Sequence, residues 1–350
     1  MDINFSFASG LHDSDFGKCL EPLKMVIQNE SDVLDKKLGL VESLFNVEKS
    51  SNFAEGYEVR AGLDEFQAVP EGGEPINDGS ETTGKKVIEN IQFLKSVTLT
   101  RSALEDAKMK ITPEMKRKLE GFIGVWYRTR NHIASVALTS AENKKVLING
   151  AEVDLTTFDG LPLFNKAHKW GGKKKSGTQC NLFYLADGAD AIKSVEYLED
   201  VLNTMSFKLL NMKDENGNVM GYSADTIRIP GNRMALAMYL RKMLGSEYAG
   251  SIENATINTQ SGKFNLFVDP FWQSDKDVID VMSKECSKAI SGNVFQNRRP
   301  LSVSTREDRG LNLETIARGR FGVGFPEYKH IERLYLLDKD ATMATAELLD

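Results

Sequence analysis

Between Ser50 and Ser96 the chain carries two short strand patterns held apart by a tract with almost nothing to bury. Tyr57-Glu58-Val59-Arg60-Ala61 alternates as a strand, and Val87-Ile88-Glu89-Asn90-Ile91-Gln92-Phe93 reads as its antiparallel return. Between them, Val69-Pro70-Glu71-Gly72-Gly73-Glu74-Pro75-Ile76-Asn77-Asp78-Gly79 places a breaker every few residues. A lone two-stranded ribbon with a polar tip buries too little apolar surface to offset its backbone entropy. It has to lie on another surface, and the fold must supply one. The segment in front has the same difficulty. From Asp15 to Val47, Leu20, Leu23, Val26 and Ile27, then Val33, Leu34, Leu38, Val41, Leu44 and Phe45, recur by threes and fours. That spacing predicts one or two amphipathic helices with a seam too thin for a core of their own. Such an arm is expected to pack on the body of its own chain or on a neighbour.

Behind the ribbon comes a long helix. Thr112 suits an N-cap, Pro113 the first turn, and Glu114 the positive end of the helix dipole. Met115, Leu119, Phe122, Trp126, Ile133 and Ala137 then repeat at helical spacing to Thr139, a length of roughly 40 Å. Gly121 and Gly124 weaken such a helix, which suggests close packing there. Lys116, Arg117, Lys118, Arg128 and Arg130 fill its other faces and read as a solvated or subunit-contact surface. Next, Lys145–Ile148 and Ala151–Leu155 flank Asn149-Gly150, the pair that best fits a type I′ hairpin turn. A second helix is expected over Asp187–Phe207, a turn at Glu215-Asn216-Gly217, a strand ending at Ile227–Pro230, and a third helix over Asn232–Leu244 capped by Gly245. Strands follow at Asn265–Val268, Leu301–Ser304, Thr315–Phe325 and His330–Leu337. The class is α+β.

Composition excludes several functions. The net charge of −6 argues against tight duplex binding by the whole chain, which needs a basic surface, although it is compatible with enclosing DNA at a distance. No run approaches the ~18–20 apolar residues of a membrane span, so no membrane partner is expected. Met1–Phe5 lacks the basic and apolar regions of a signal peptide, and the chain is expected to act where it is made or to leave by lysis. Cys19, Cys180 and Cys286 are too scattered for a disulfide framework or zinc knuckle and read as reduced thiols in or near cores. His12, His132, His168 and His330 include no metal-binding pair. Gly171–Gly177 fails the phosphate-loop spacing and reads as an exposed turn, while Gly319–Gly324 sits in a strand pattern. No serine elbow or other catalytic constellation is present, so no catalytic, cofactor or metal residue is assigned and no enzyme is expected.

The order of parts carries a resemblance. Ser96–Asp106 is similar to the passage between E-loop and spine helix in major capsid proteins of tailed bacteriophages, and Asp159-Gly160-Leu161-Pro162-Leu163-Phe164-Asn165-Lys166-Ala167-His168 resembles a segment of Mu-like major head subunits. Asp214–Gly217, followed by Ile229-Pro230 and the helix after it, is similar to the A-domain order of that family. Ala317–Gly322 with Tyr328-Lys329 resembles its C-terminal strands. The resemblance implies the Hong Kong 97-like fold, with an N-terminal arm at 1–49, an E-loop at 50–100, a P-domain with spine helix at 101–188, an A-domain at 189–295, and P-domain return strands with the C-terminus at 296–350. It further implies self-assembly into hexamers and pentamers of an icosahedral virion shell around double-stranded DNA. The ribbon would lie across an adjacent subunit and the arm would clasp another. Because only a short arm precedes the ribbon, a separate scaffolding protein is implied, along with a portal and a decoration protein, with assembly in the host cytoplasm. Some relatives cross-link a lysine to an asparagine, but no such pair is assigned here. Rival readings are an encapsulin-like compartment and, from another class, a carboxylate-dependent hydrolase.

Overall fold

The computed structural model describes residues 3–35, 39–60, 68–69, 71, 74, 82–171, 176–191, 194–245, 248–249, 256–257 and 261–349. The chain begins with strand β1 (Asn4–Phe7), helix α1 (Gly17–Asp35), α2 (Leu40–Leu44) and β2 (Asn46–Lys49). The ribbon strands β3 (Ala54–Arg60) and β4 (Thr82–Glu89) follow, then β5 (Ile91–Leu99). A short α3 (Arg101–Asp106) leads into the long α4 (Pro113–Thr139) and two hairpins, β6 (Lys145–Ile148) with β7 (Ala151–Asp154) and β8 (His168–Gly171) with β9 (Ser176–Gln179). Next come β10 (Leu182–Leu185), α5 (Gly188–Ala191), α6 (Val195–Leu210), β11 (Thr226–Pro230), α7 (Met234–Gly245) and the small ladder β12 (Tyr248–Ala249) with β13 (Thr256–Ile257). The chain closes with β14 (Asn265–Asp269), β15 (Asp277–Met282), α8 (Lys284–Ser287), β16 (Val294–Glu307), β17 (Leu313–Gly324), β18 (Ile331–Leu336) and β19 (Glu347–Leu348).

Two sheets hang on α4. One has the order β1-β16-β17-β5, with β2 also pairing β16; the other runs β14-β11-β15-β18-β10-β19. The first half of α4 packs Leu119, Phe122 and Ile123 with α1 and with Leu301, Val303 and Leu313 of the five-stranded sheet. Its second half packs Ile133, Ala134, Ala137 and Leu138 with α2, with Ile148 and Val153 of the hairpin, and with Ile331 of the six-stranded sheet. On the opposite face of that sheet, Leu198, Leu202, Met205 and Leu209 of α6 meet Leu236 and Leu240 of α7 over Ile227, Ile279 and Leu334. The start of α4 is as the residues predict: the Thr112 hydroxyl accepts a bond from the Met115 amide at 3.3 Å, with Pro113 at the first position.

Several expectations need correction. Of the two partners expected for the arm, its own chain is the one seen: Phe16, Cys19, Leu20, Leu23 and Ile27 of its first helix and turn are buried against α4. The ribbon return breaks at Asn90, whose amide donates to Ser50 Oγ at 2.8 Å and to the Asn52 carbonyl at 3.0 Å; β4 ends there and β5 joins the large sheet. The helix expected over Asp187–Phe207 is split, since Ser194 caps a fresh start by accepting from the Tyr197 amide at 3.4 Å. Gly121 and Gly124 are not close-packing points: a Cβ built at either meets nothing within 4 Å. Arg130 is not on a solvated face, because α2 covers it there; it pairs with Glu42 at 3.1 Å and stacks over Phe295. Lys116, Arg117, Lys118 and Arg128 are exposed as expected. The strand expected at Leu301–Ser304 is the middle of a 14-residue strand, bent at a register shift where Pro300 sits without an amide to give. The tip of the ribbon and the middle of the Gly171–Gly177 turn lie outside the described residues.

Candidate functional site

No catalytic residue was expected, and the four histidines have structural partners in separate places. His12 meets Phe7 edge-on, His132 meets Phe271, and His330 bonds Asn293 at 2.9 Å. His168 is fully buried, with Nδ1 at 2.8 Å from Asp159 and Nε2 at 3.1 Å from the Leu163 carbonyl. Burial disfavours charge on Asp159, yet His168, Thr157 and the Leu161 amide outweigh it and hold the carboxyl below its ordinary range. Cys19, Cys180 and Cys286 are free, and burial raises each thiol pKa, to about 12 for Cys180. Among the described residues no group of three or more His, Cys, Asp or Glu is placed to hold a metal, and no helix is long and apolar enough to cross a membrane.

Three motif segments far apart in sequence meet around Tyr328. Its ring stacks on His168 at 3.7 Å on one side and lies parallel to Phe158 at 6.1 Å on the other. Next to it Lys329 pairs with Glu215 of the turn after α6, both buried. In that turn Asp214 Oδ1 accepts from the amides of Asn216 and Asn218 at 2.9 and 2.8 Å, which lets Gly217 take φ +86°. The segment 159–168 therefore serves as a clamp: Gly160 turns at φ +75°, Leu163 and Phe164 enter the core, and His168 returns to Asp159.

A buried ionic group joins the end of α4 to the six-stranded sheet. Arg228 on β11 bonds Asp269 at 2.7 Å, Asp280 at 2.8 Å and the Ser135 carbonyl at 3.2 Å. Arg333 on β18 bonds Asp280 at 2.7 Å, Glu142 at 3.0 Å, and the carbonyls of Leu138 and Thr139 at 3.1 and 2.8 Å. Both cations thus sit at the negative end of the helix dipole, and Arg333 satisfies the Leu138 and Thr139 carbonyls that the helix leaves open. Burial works against charge on Arg333, but Asp280 and Glu142 hold its pKa above the ordinary value. Nothing in the sequence flagged these residues, since isolated arginines and aspartates in strand patterns read as surface.

The remaining candidates are surfaces. The ribbon root turns Tyr57, Val59, Lys86 and Ile88 inward onto its own chain. Tyr57 donates to Glu48 at 3.0 Å and accepts from Gln296 at 2.9 Å; Lys86 reaches Asp154 at 2.7 Å. The outward side of the root shows Val87 and Phe53, and α6 and α7 leave Phe207 (64% exposed) and Met238 (65%) uncovered. Apolar side chains of that size left in water mark contact surfaces when they cluster.

No protein-family model matches the sequence, and no curated protein does. Solved structures match. The capsid of Myoviridae Phage XM1 superposes with a TM-score of 0.52 at 11% identity, covering 86% of this chain and 94% of that one. The capsid structure of the Cyanophage P-SCSP1u gives 0.50 at 9% identity, covering 86% and 89%. The chain has a Hong Kong 97-like capsid fold.

Proposed function

We propose that this chain is the major capsid protein of a tailed bacteriophage, forming the hexamers and pentamers of an icosahedral shell around a double-stranded DNA genome. The capsid fold over 86% of the chain is the observation that supports it. In this reading residues 1–49 are the arm, 50–100 the E-loop, 101–188 the P-domain with α4 as spine, 189–295 the A-domain, and 296–350 the return strands and C-terminus. A-domains meet at the five- and six-fold centres, and α4 with the five-stranded sheet faces the two- and three-fold contacts. Each stable contact needs roughly 1,200–2,000 Å² of buried surface, and several modest contacts per copy add by multivalency into a shell whose individual steps stay reversible. A scaffolding protein, a portal and a decoration protein are the other partners. Assembly takes place in the host cytoplasm and the product is a virion.

The test is electron microscopy of the purified full chain beside a variant with residues 62–81 replaced by a short Gly-Ser linker. The wild type should form closed particles and the variant should stay folded without forming them. A wild type that remains single at every concentration refutes the reading. DNA-free particles that instead carry a host enzyme would favour the encapsulin-like alternative.

A further inference from the structure

Lys329, in the segment between β17 and β18, is held away from water together with two acids. Its side chain is 1% exposed, that of Glu215 3% and that of Glu327 12%. The ammonium pairs directly with Glu215, and the nearest Glu327 oxygen is 3.9 Å from it. The Phe158 ring lies against the same nitrogen at 5.8 Å and runs parallel to Tyr328 at 6.1 Å. One buried amine therefore has two carboxyl groups in reach and an aromatic wall beside it. A single cation cannot neutralise two carboxylates away from solvent, so one of the acids keeps its proton. Glu327 is that acid. Burial pushes its pKa up, Lys329 opposes the rise, and the Glu215 charge adds to it.

An ion pair alone does not call for this arrangement. A second, protonated carboxyl beside the pair adds desolvation cost and no charge pairing. It does complete the set that condensation of an amine with an acid needs. The nucleophile is held in contact with its acid, a proton carrier stands within reach, and the water that would reverse the step is kept out.

We propose that Lys329 and Glu215 join in an amide cross-link within one chain, with Glu327 as the proton carrier. Lys329 Nζ first passes a proton to the Glu215 carboxylate, which leaves both groups neutral. Nζ then adds to Glu215 Cδ. The Nζ–Cδ bond forms, one Cδ–O bond breaks, and the oxygen departs as water with the two protons that Nζ has lost. Glu327 gives its proton to the departing oxygen and regains one from the nitrogen, so it ends as it began. Nothing is oxidised or reduced, and no co-reactant is consumed. Such an amide is disfavoured between free molecules in water, but groups fixed in contact act at effective concentrations on the order of 10⁵–10⁸ M. The bond fastens the turn after α6 to the segment before β18 and closes a loop that contains β11 to β17. It belongs to the single copy and forms whether or not copies assemble.

The intact mass of the denatured full chain reads the bond, because the cross-link removes one water. The main species of the wild type should be one water lighter than its sequence, and a tryptic digest should hold a branched peptide joining Glu215 to Lys329. Lys329→Arg keeps the charge but has no amine to condense; it should fold by circular dichroism and show its full mass. Glu327→Gln should lower the cross-linked fraction of freshly made protein at least about tenfold. Glu215→Gln expels ammonia instead of water and yields the same amide, so its final mass should equal that of the cross-linked wild type. A wild type whose main species has the full mass overturns the proposal. So does a lost water that persists in Lys329→Arg, or one that maps to another peptide, as cyclisation at an Asp-Gly step would.

Discussion

Glu332→Gln is expected to stabilise the fold at pH 7 and to change it little at pH 4.5. Glu332 is fully buried on β18, on the side that carries Leu334 and Leu336. Neither carboxylate oxygen has a hydrogen-bond partner among the described residues. Burial pushes its pKa well above the ordinary 4.5, and the charge of Lys208 opposes that only weakly. A folded-state pKa raised in this way makes a contribution that is whole below pH 4.5 and is lost as the pH rises. As the pH rises the unfolded chain gives up a proton that the fold holds more tightly, which costs up to about 1.4 kcal/mol for each pH unit between 4.5 and the folded pKa. Glutamine has the shape of the neutral acid and no proton to lose, so it escapes this cost. Guanidinium unfolding of both proteins at pH 4.5, 5.5 and 7, with slopes compared to confirm the same transition, measures the difference. Other titrating groups are common to both proteins and cancel. A gain equal at all three pH values, or a loss at pH 7, would show that the carboxylate is ionised and paired in the fold.

The other expectations follow from single contacts. Arg333→Met should cost about 3–5 kcal/mol in urea unfolding, because it leaves Asp280 and Glu142 short of a cation and uncovers the last carbonyls of α4. Gly319→Ala places a Cβ 2.2 Å from Trp126 and should lower stability by about 1–3 kcal/mol, whereas Gly121→Ala enters open space and should raise it by up to ~1 kcal/mol; a melting temperature that rises for the first or falls for the second would contradict that expectation. His330 is fully buried and its pKa is lowered from 6.5 to about 3 by burial, so the unfolded chain binds its proton first. Stability should therefore fall by up to about 1.4 kcal/mol per pH unit as pH drops from 6.5 towards 5, and His330→Gln should flatten that slope.

The parts of the fold set by local signals were legible in the residues. Thr112-Pro113 starts α4, and Asn149-Gly150 makes a turn with φ +49° and +82°, as a type I′ hairpin needs. The apolar spacing from Leu198 to Leu209 marks the buried side of α6. Strand β15, buried on both faces, was not legible, because it lacks alternation. In β15 five of the six residues are buried, and Asp280 in its middle looks like a surface residue until Arg228 and Arg333 are seen on either side. Arg130 was misread for the same reason, since spacing gives a residue's direction on a helix and not what α2 later lays over it. The destination of the arm was equally out of reach. An amphipathic seam states that a partner exists, and only the three-dimensional arrangement states that the partner is α4 of the same chain.

That arrangement decides which surfaces are left for association. An arm that left its own chain to clasp a neighbour would strip Phe16, Leu20, Leu23 and Ile27 from Leu119 and Ile123. Each such side chain is worth about 1.5–3 kcal/mol when fully buried, so release costs on the order of 10 kcal/mol before any new contact forms. An exchange of equal contacts could repay that sum, but only after a nearly open intermediate. Association built on surfaces already exposed needs no such step. The outer face of the five-stranded sheet and the uncovered sides of α6 and α7 are free while the arm stays home, and contacts among them can form and break without unfolding anything. A particle made of many copies has to discard misplaced subunits, which requires contacts that are weak singly and strong together. The closed arm gives each copy a stable fold beforehand, and leaves the reversible work to polar and charged surfaces.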